Sequence, residues 1–193
     1  MTGSTRTFPY FLFLAALTLG ASPVITRETV LQIDPAQTKV EFTLGDVLHT
    51  VRGEFHLKRG DIHFDPATGA AGGELVVDAA SGASGSDARD SRMHKNILES
   101  DRYPEIVFRP DRIDGKVVSE GPSHVQLHGI FSIHGADHEI SVPVEVQASG
   151  GQYAATAKFA VPYVKWGMKN PSTLILRVSQ QVDIAIHTVA KAR

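Results

Sequence analysis

Histidine is the residue best suited to metal chemistry in this chain, which has nine histidines and no cysteine. The lack of cysteine excludes disulfides, thiolate ligands and a cysteine nucleophile. His134 and His138 flank the turn at residues 135–137 and are expected on the polar side of a hairpin, where they could face each other. A metal would need a third ligand, for which Asp137 and His128 are candidates. Because no compact signature such as H-E-x-x-H occurs, we interpret these histidines as exposed strand residues and expect no metal or other cofactor.

A Ser/His/Asp set of the kind used by hydrolases can be assembled on paper within residues 87–100. Asp90 and His94 are four residues apart, which places both on one face of a helix, and Ser91 lies between them. No motif such as G-x-S-x-G supports a nucleophile here. Arg89 and Asp90 are explained more simply as residues that pin a helix to the rest of the fold. We therefore predict a binding protein and not an enzyme, with a hydrolase or isomerase that uses an internal cavity as one alternative.

The composition indicates a globular domain without a nucleic-acid partner. The 193 residues are 42% apolar and 21% charged, which is typical of one folded domain. The net charge is −2, and no basic run is longer than the pair Lys58-Arg59. A nucleic-acid-binding domain would show a basic patch or stripe.

The N-terminus has the pattern of a secretory leader. Arg6 precedes an apolar stretch from Phe8 to Leu19, which is the length of a signal-peptide core and short for a membrane span. Small residues follow, ending at Ala21. We predict a signal peptide over residues 1–21 and a mature domain over residues 30–188 that is periplasmic or secreted. The alternative, an uncleaved anchor, also carries the domain across a membrane.

From about residue 30 onward, apolar and polar residues alternate, as in β-strands with one buried face. In residues 39–44, for example, Val40, Phe42 and Leu44 share one face. The same alternation runs through residues 51–57, 61–65, 74–78, 105–108, 124–134, 138–147, 151–161 and 174–187. About eight strands joined by short turns favour an all-β, antiparallel barrel, with a two-sheet sandwich as the competing architecture.

Residues 87–100 break this pattern and predict a short helix inserted between two strands. Ser84 or Ser86 can cap it, and Tyr103, which precedes a proline, must be extended. The apolar stripe of Met93, Ile97 and Leu98 is narrow. We hypothesise that this weak anchoring lets the helix move when a ligand exchanges.

An eight-stranded barrel is either filled by side chains or able to hold one small ligand. The predicted inward residues include the small residues Gly53, Gly129, Ala155 and Ala157, and no inward residue is charged. A void with such a wall favours an apolar guest. The alternation alone leaves both readings open, and the filled barrel would be a structural or stress-response module without a ligand.

The stretch RDSRMHKNILESDRYPEIVF resembles the central signature of the YceI-like family of lipid- and polyisoprenoid-binding proteins. Its parts are an Arg-Asp pair, a short helix with an apolar face, and an aromatic-Pro step into an Ile-x-Phe strand. They correspond to Arg89, Asp90, Met93, His94, Leu98, Tyr103, Pro104, Ile106 and Phe108. The segments IDPAQTKVEFTL, VRGEFHLKRGDIHFDP and LHGIFSIHGADHEISVPVEV resemble other family segments in the same order, so the resemblance spans roughly residues 30–187.

The resemblance implies an eight-stranded, lipocalin-like antiparallel barrel with one short α-helix at about residues 87–100. Its cavity is expected to hold the tail of a polyisoprenoid-type lipid or another amphiphile. Transient membrane contact fits such a ligand, and oligomeric state is left open. Lys165 and Lys169 could meet an anionic head group, although solvation is the simpler reading. The expected cavity wall is Phe42, Phe55, Leu75, Val77, Met93, Ile97, Ile106, Phe108, Leu127, Phe131, Val142, Val144, Ala155, Ala157, Phe159, Trp166 and Leu176.

Overall fold

The structure, a computed structural model, describes residues 28–45, 49–173 and 177–193. The predicted leader, residues 1–21, and Leu176 of the predicted cavity wall lie outside the described residues. The described residues form ten β-strands in one antiparallel sheet. The strands are β1 (Thr29–Ile33), β2 (Lys39–Gly45), β3 (Thr50–Phe55), β4 (Leu57–Phe64), β5 (Ala71–Asp78), β6 (Glu105–Asp114), β7 (Gly121–Ile133), β8 (Ala136–Ser149), β9 (Gln152–Val161) and β10 (Val182–Ala192).

The sheet closes into a barrel because β10 pairs with β9 on one edge and with both β1 and β2 on the other. β1 and β2 are two halves of one bent strand, and β3 and β4 are halves of a second, since β1 pairs with β4 and β2 with β3. Counting each bent strand once gives eight strands around the barrel. The predicted eight-stranded antiparallel barrel is confirmed, and the two-sheet sandwich is not adopted.

The bend between β1 and β2 is built by the sequence Asp34-Pro35-Ala36-Gln37-Thr38. The Asp34 carboxylate accepts hydrogen bonds from Gln37 Nε2 at 2.6 Å and from the Ala36 N–H at 2.9 Å. These bonds, the one from Gln37 first, lower the pKa of Asp34 below its ordinary value of 3.8. The Thr38 hydroxyl donates to the Asp34 carbonyl at 2.8 Å. Local hydrogen bonds of this kind stop a strand and turn it.

The inserted helix is present and has two parts, α1 (Asp87–Arg92) and a π-helical turn (Met93–Leu98). Glu99 ends it in the left-handed conformation with φ 47°. The predicted serine cap is wrong in its detail, because Ser86 occupies the N-cap position without a side-chain hydrogen bond. Instead, the Asp90 carboxylate accepts from the Ser84 N–H at 3.0 Å and from the Ser84 hydroxyl, which ties α1 to the loop before it.

One predicted strand is shorter than expected. The alternation suggested a strand over residues 174–187, but β10 begins at Val182, and Val178 forms only an isolated bridge. The reason is that Ser179 is held elsewhere: its N–H donates to the Gly45 carbonyl at 2.9 Å, and its own carbonyl accepts from the Tyr163 hydroxyl at 2.7 Å.

Side chains fill one end of the barrel. Two clusters of buried residues pack there and close the lumen. They consist of Ile33, Leu57, Ala148, Tyr153 and Ala190, and of Phe64, Ile113 and Val125. A third cluster surrounds the opposite end, where the helix lies, and includes Phe42, Phe55, Leu98, Phe131 and Met168.

The small inward residues do not create the empty space that the sequence suggested. A Cβ at Gly53 would meet the Phe42 ring and the Ala83 carbonyl, and one at Gly129 would meet the Arg109 carbonyl. Both glycines therefore sit where another group already approaches the backbone closely. Their lack of a side chain lets neighbours pack and leaves no vacancy.

The outer wall carries an unexpected buried residue, Val76, which has no exposed surface although it lies on the opposite face from Leu75 and Val77. Ion pairs surround it on that face. Arg59 Nη2 lies 3.0 Å from Glu74 Oε1, and Arg59 Nη1 lies 3.3 Å from Glu105 Oε1. Long charged side chains commonly cover apolar surface with their alkyl stems while their charged ends stay in water.

Candidate functional site

A cavity of about 470 Å³ occupies the helical end of the barrel. Its wall comes from β2, β3, β5, β6, β7, β9 and β10, from the helical segment and from the loop after β9. Nearly all wall residues are apolar, and this end of the barrel stays open inside because the side chains do not meet across it. The volume lies within the range of small-molecule sites, which are concave and mostly apolar.

Eight of the residues expected from the sequence border this cavity. They are Phe42, Phe55, Val77, Met93, Ile97, Ile106, Phe131 and Phe159. These residues come from strands in several parts of the chain and from the apolar stripe of the helical segment, and together they surround one space. Phe131 and Phe159 meet edge to face with ring centroids 6.1 Å apart, and Phe42 and Phe55 lie 5.3 Å apart, so aromatic pairs stiffen two sides of the wall.

Eight other expected residues do not border the cavity. They are Leu75, Phe108, Leu127, Val142, Val144, Ala155, Ala157 and Trp166. Leu75 and Leu127, for example, pack against the clusters that close the far end. Strand alternation makes seven of them inward, whereas Trp166 lies in the loop after β9. The alternation does not say at which level along the barrel axis the lumen is filled.

The structure adds wall residues that were absent from the expected set. One of them is Leu98 of the helical segment, and those from strands and loops are Val40, Leu44, Val51, Ile133, Val161, Tyr163, Met168, Pro171, Val178, Val182, Ile184 and Ile186. Most share the inward alternation of their strands, which was the available signal. Tyr163 and Met168 had no such signal because they lie in the loop after β9, where both are buried.

Five further wall residues, Ser84, Ser86, Ala88, Arg89 and Arg92, form what we call the mouth. Ala88, Arg89 and Arg92 are exposed, so the cavity reaches solvent there. Arg89 is held in place by two hydrogen bonds to Ser84, from Nε to Oγ at 2.7 Å and from Nη2 to the carbonyl at 3.0 Å. The two lysines that the sequence suggested for a head group, Lys165 and Lys169, are exposed but do not border the cavity.

Asp90 and His94 serve as anchors of the helical segment. Burial would raise the pKa of Asp90, but hydrogen bonds from the Ser84 hydroxyl and N–H outweigh it and lower that pKa below 3.8. His94 Nε2 lies 2.8 Å from the Gly82 carbonyl, which can only accept, so Nε2 donates there, and Nδ1 lies 3.3 Å from the Ser100 hydroxyl. The grouping of Asp90, Ser91 and His94 considered from the sequence is therefore not assembled.

His134 and His138 pack on different aromatic rings. His138 stacks on Trp166 with ring centroids 4.0 Å apart and planes at 6°. It pairs with the inward-facing Phe131, so its expected polar-side position is wrong. Burial lowers the pKa of His138 below 6.5, although the neighbouring Asp137 opposes this. His134 lies 4.8 Å from the Tyr103 ring.

A metal site at these histidines receives no support from the geometry. Within residues 28–45, 49–173 and 177–193, no three His, Cys, Asp or Glu side chains are arranged to hold a metal ion. His128 Nε2 contacts Asp114 Oδ2 at 2.9 Å, and His134 Nε2 lies 3.8 Å from Glu99 Oε1. These contacts join imidazoles to single carboxylates, and a transition metal requires more ligands.

The helices in the described part of the chain are all too short or too polar to cross a lipid bilayer.

Known proteins share this fold. The structure of BcnA from Burkholderia cenocepacia is similar, with a TM-score of 0.66 and 21% identity over 81% of this chain and 98% of that chain. A polyisoprenoid binding domain from Saccharophagus degradans, implicated in plant cell wall breakdown, has a TM-score of 0.63 and 15% identity over 84% and 98% of the two chains. A YceI protein from Campylobacter jejuni has a TM-score of 0.55 and 16% identity over 96% and 98%.

The sequence comparison is more specific than these structural likenesses. A search of curated proteins found no match. The family model described as the YceI-like domain matches residues 31–190, which is nearly the whole barrel from β1 to β10. The chain therefore belongs to the YceI-like family.

Proposed function

We propose that the protein binds the tail of an apolar, isoprenoid-like lipid in the cavity at the helical end of the barrel. The observation that carries this proposal is the unfilled apolar cavity of about 470 Å³. Family membership and the likeness to a polyisoprenoid binding domain support it. The ligand-binding wall would be the eight expected residues that border the cavity, together with Leu98, Ile184 and Ile186.

The cavity is large enough for useful affinity without a specific polar contact. A methylene takes up about as much room as a water molecule, about 30 Å³, so the space of about 470 Å³ holds on the order of 15 chain carbons. At about 0.8 kcal/mol for each buried methylene, their transfer contributes about 12 kcal/mol. If association costs about 4 kcal/mol, about 8 kcal/mol remains, which corresponds to a Kd of about 1 μM.

Binding of this kind needs no covalent chemistry, and we infer a lipid-binding or transport protein and not an enzyme. The leader pattern over residues 1–21 supports a periplasmic or secreted location. There the protein would exchange its ligand with a membrane through transient contact, because an isoprenoid tail is poorly soluble in water.

Native mass spectrometry of the purified protein, followed by solvent extraction, tests the proposal. We expect a bound mass that disappears on extraction and a lipid in the organic phase. The extracted protein should then take up a fluorescent apolar probe, and the released lipid should displace that probe. A protein that carries no lipid and takes up no probe would be a ligand-free module and would refute the proposal.

A further inference from the structure

The charged residues of the cavity wall are all positive. Among the described residues that border the cavity, the charged ones are Arg89 and Arg92, and no aspartate, glutamate or lysine accompanies them. Both arginines belong to α1 and lie at the mouth, with the hydroxyls of Ser84 and Ser86 beside them. A ligand tail in the apolar interior would therefore place its head group against two cations and the Ser86 hydroxyl, because the Ser84 hydroxyl already donates to Asp90.

The acidic residues of α1 offset this charge only in part, through the attraction between Asp90 and Arg89. Asp87 and Asp90 lie on α1 but do not border the cavity. The Asp90 carboxylate is turned toward Ser84, whose N–H and hydroxyl donate to it. Its negative charge thus offsets part of the charge of Arg89, while Asp90 itself does not border the open space as Arg89 and Arg92 do.

The two guanidinium groups also retain free donors. Arg89 uses Nε and Nη2 on Ser84, which fixes the plane of the group and leaves Nη1 without a partner in the described part of the chain. Arg92 forms no side-chain hydrogen bond or ion pair with any residue that the structure describes. A guanidinium group matches the planar, two-oxygen geometry of a carboxylate or phosphate.

We propose that the mouth selects an anionic head group, so that the preferred ligand is a single-chain acid or phosphate with a tail on the order of 15 carbons. This inference rests on the proposed function, because it assumes a tail in the cavity. The tail supplies most of the affinity, and Arg92 together with the positioned Arg89 selects the charge. Since both arginines are exposed, their contribution is modest and weakens as salt is added.

The test compares hexadecanoic acid with hexadecanol, which has the same chain and no charge, at neutral pH and below their aggregation limits. Binding is measured by displacement of a fluorescent apolar probe. We expect the acid to bind more tightly than the alcohol, and added salt to weaken only the acid. Hexadecyl phosphate should behave as the acid does. Acetate and inorganic phosphate, which lack a tail, should not compete.

Arg92→Gln isolates the role of charge, because the Arg92 side chain holds no other residue in place. We expect it to weaken binding of the acid about fivefold, the upper range for an exposed ion pair, and to affect binding of the alcohol much less. Arg92→Lys should retain most of the preference. Lys95→Gln is the matched control, since Lys95 lies one turn further along the same helical segment, is exposed and does not border the cavity.

Equal affinity for the acid and the alcohol, or an equal loss of both in Arg92→Gln, would overturn the head-group inference while leaving tail binding intact. Competition by acetate or phosphate alone would show a free-anion site and would also overturn it. Failure of both long-chain ligands to displace the probe would contradict the cavity as a lipid site and so remove the basis of both proposals.

Discussion

Filling the cavity from its wall should abolish most lipid binding. Ile184 of β10 is the cross-strand neighbour of Phe42 on β2 and of Phe159 on β9, and all three residues border the cavity. In Ile184→Trp, the larger ring system extends into the space that a tail would use. Asp183 is the adjacent residue on the same strand, faces outward and is exposed, so Asp183→Trp is a matched control.

The size of the effect follows from the volume of the cavity. If the indole excludes about three methylene groups of the tail, about 2.4 kcal/mol of transfer free energy is lost at about 0.8 kcal/mol each. The Kd should then rise about 50-fold. Because the ring enters empty space, we expect little change in the free energy of unfolding, whereas the same substitution in a filled core costs about 1 to 3 kcal/mol.

Probe displacement gives the Kd, and urea unfolding gives the stability, for both variants and the wild-type protein. Asp183→Trp should match the wild-type protein in ligand affinity. The reasoning is refuted if the two tryptophan variants bind equally well, or if Ile184→Trp is destabilised as an overpacked core would be, since either result means that the cavity is not an open ligand space.

Three further predictions concern other parts of the molecule. Because burial lowers the pKa of His138 below 6.5, the unfolded chain binds more protons below that pH, so the free energy of unfolding should fall as the pH is lowered from about 6.5. In urea titrations His138→Phe should lose less stability over the same window, and an identical pH dependence would contradict this assignment. Asp90→Asn, which weakens the link between Ser84 and α1, should cost about 1 kcal/mol and speed ligand exchange in stopped-flow measurements; unchanged exchange would argue against movement of the helix. When the protein is expressed in a host that exports it, its intact mass should be that of a chain that begins just after Ala21. Retention of residues 1–21 would favour the uncleaved anchor.

The strand alternation predicted the barrel because each strand has one face in the lumen and one in water. Val40, Phe42 and Leu44 on β2 are a clear case, since neighbours two residues apart share a face whatever the rest of the chain does. The helix was predicted equally well, because charged, helix-favouring residues interrupt the alternation there and do not fit a strand with one buried face. Val76 shows the limit of this reasoning: it is completely buried on the outer face, where its cross-strand partner Arg59 forms an ion pair with Glu74.

The cavity wall could be predicted only in part, for the same physical reason. Whether Phe42 or Leu127 borders empty space depends on which side chains meet across the lumen, and those partners come from strands far apart in the chain. Gly53 and Ala157 were expected to leave room, yet a neighbouring ring occupies the first position, and the second does not border the cavity. His138 was misplaced because the polar residue beside the turn follows the inward alternation of β8.

The sequence by itself determined the β-rich fold, the set of about eight strands, the inserted helix and the resemblance that the family match confirms. These features follow from local periodicity and from segments kept in order along the chain. Only the tertiary structure decided that one end of the barrel is packed and the other hollow, and that Arg89 and Arg92 stand at the opening. Whether the lumen of a barrel is filled depends on the combined volumes of side chains that are far apart in the sequence, and no local sequence pattern gives that total.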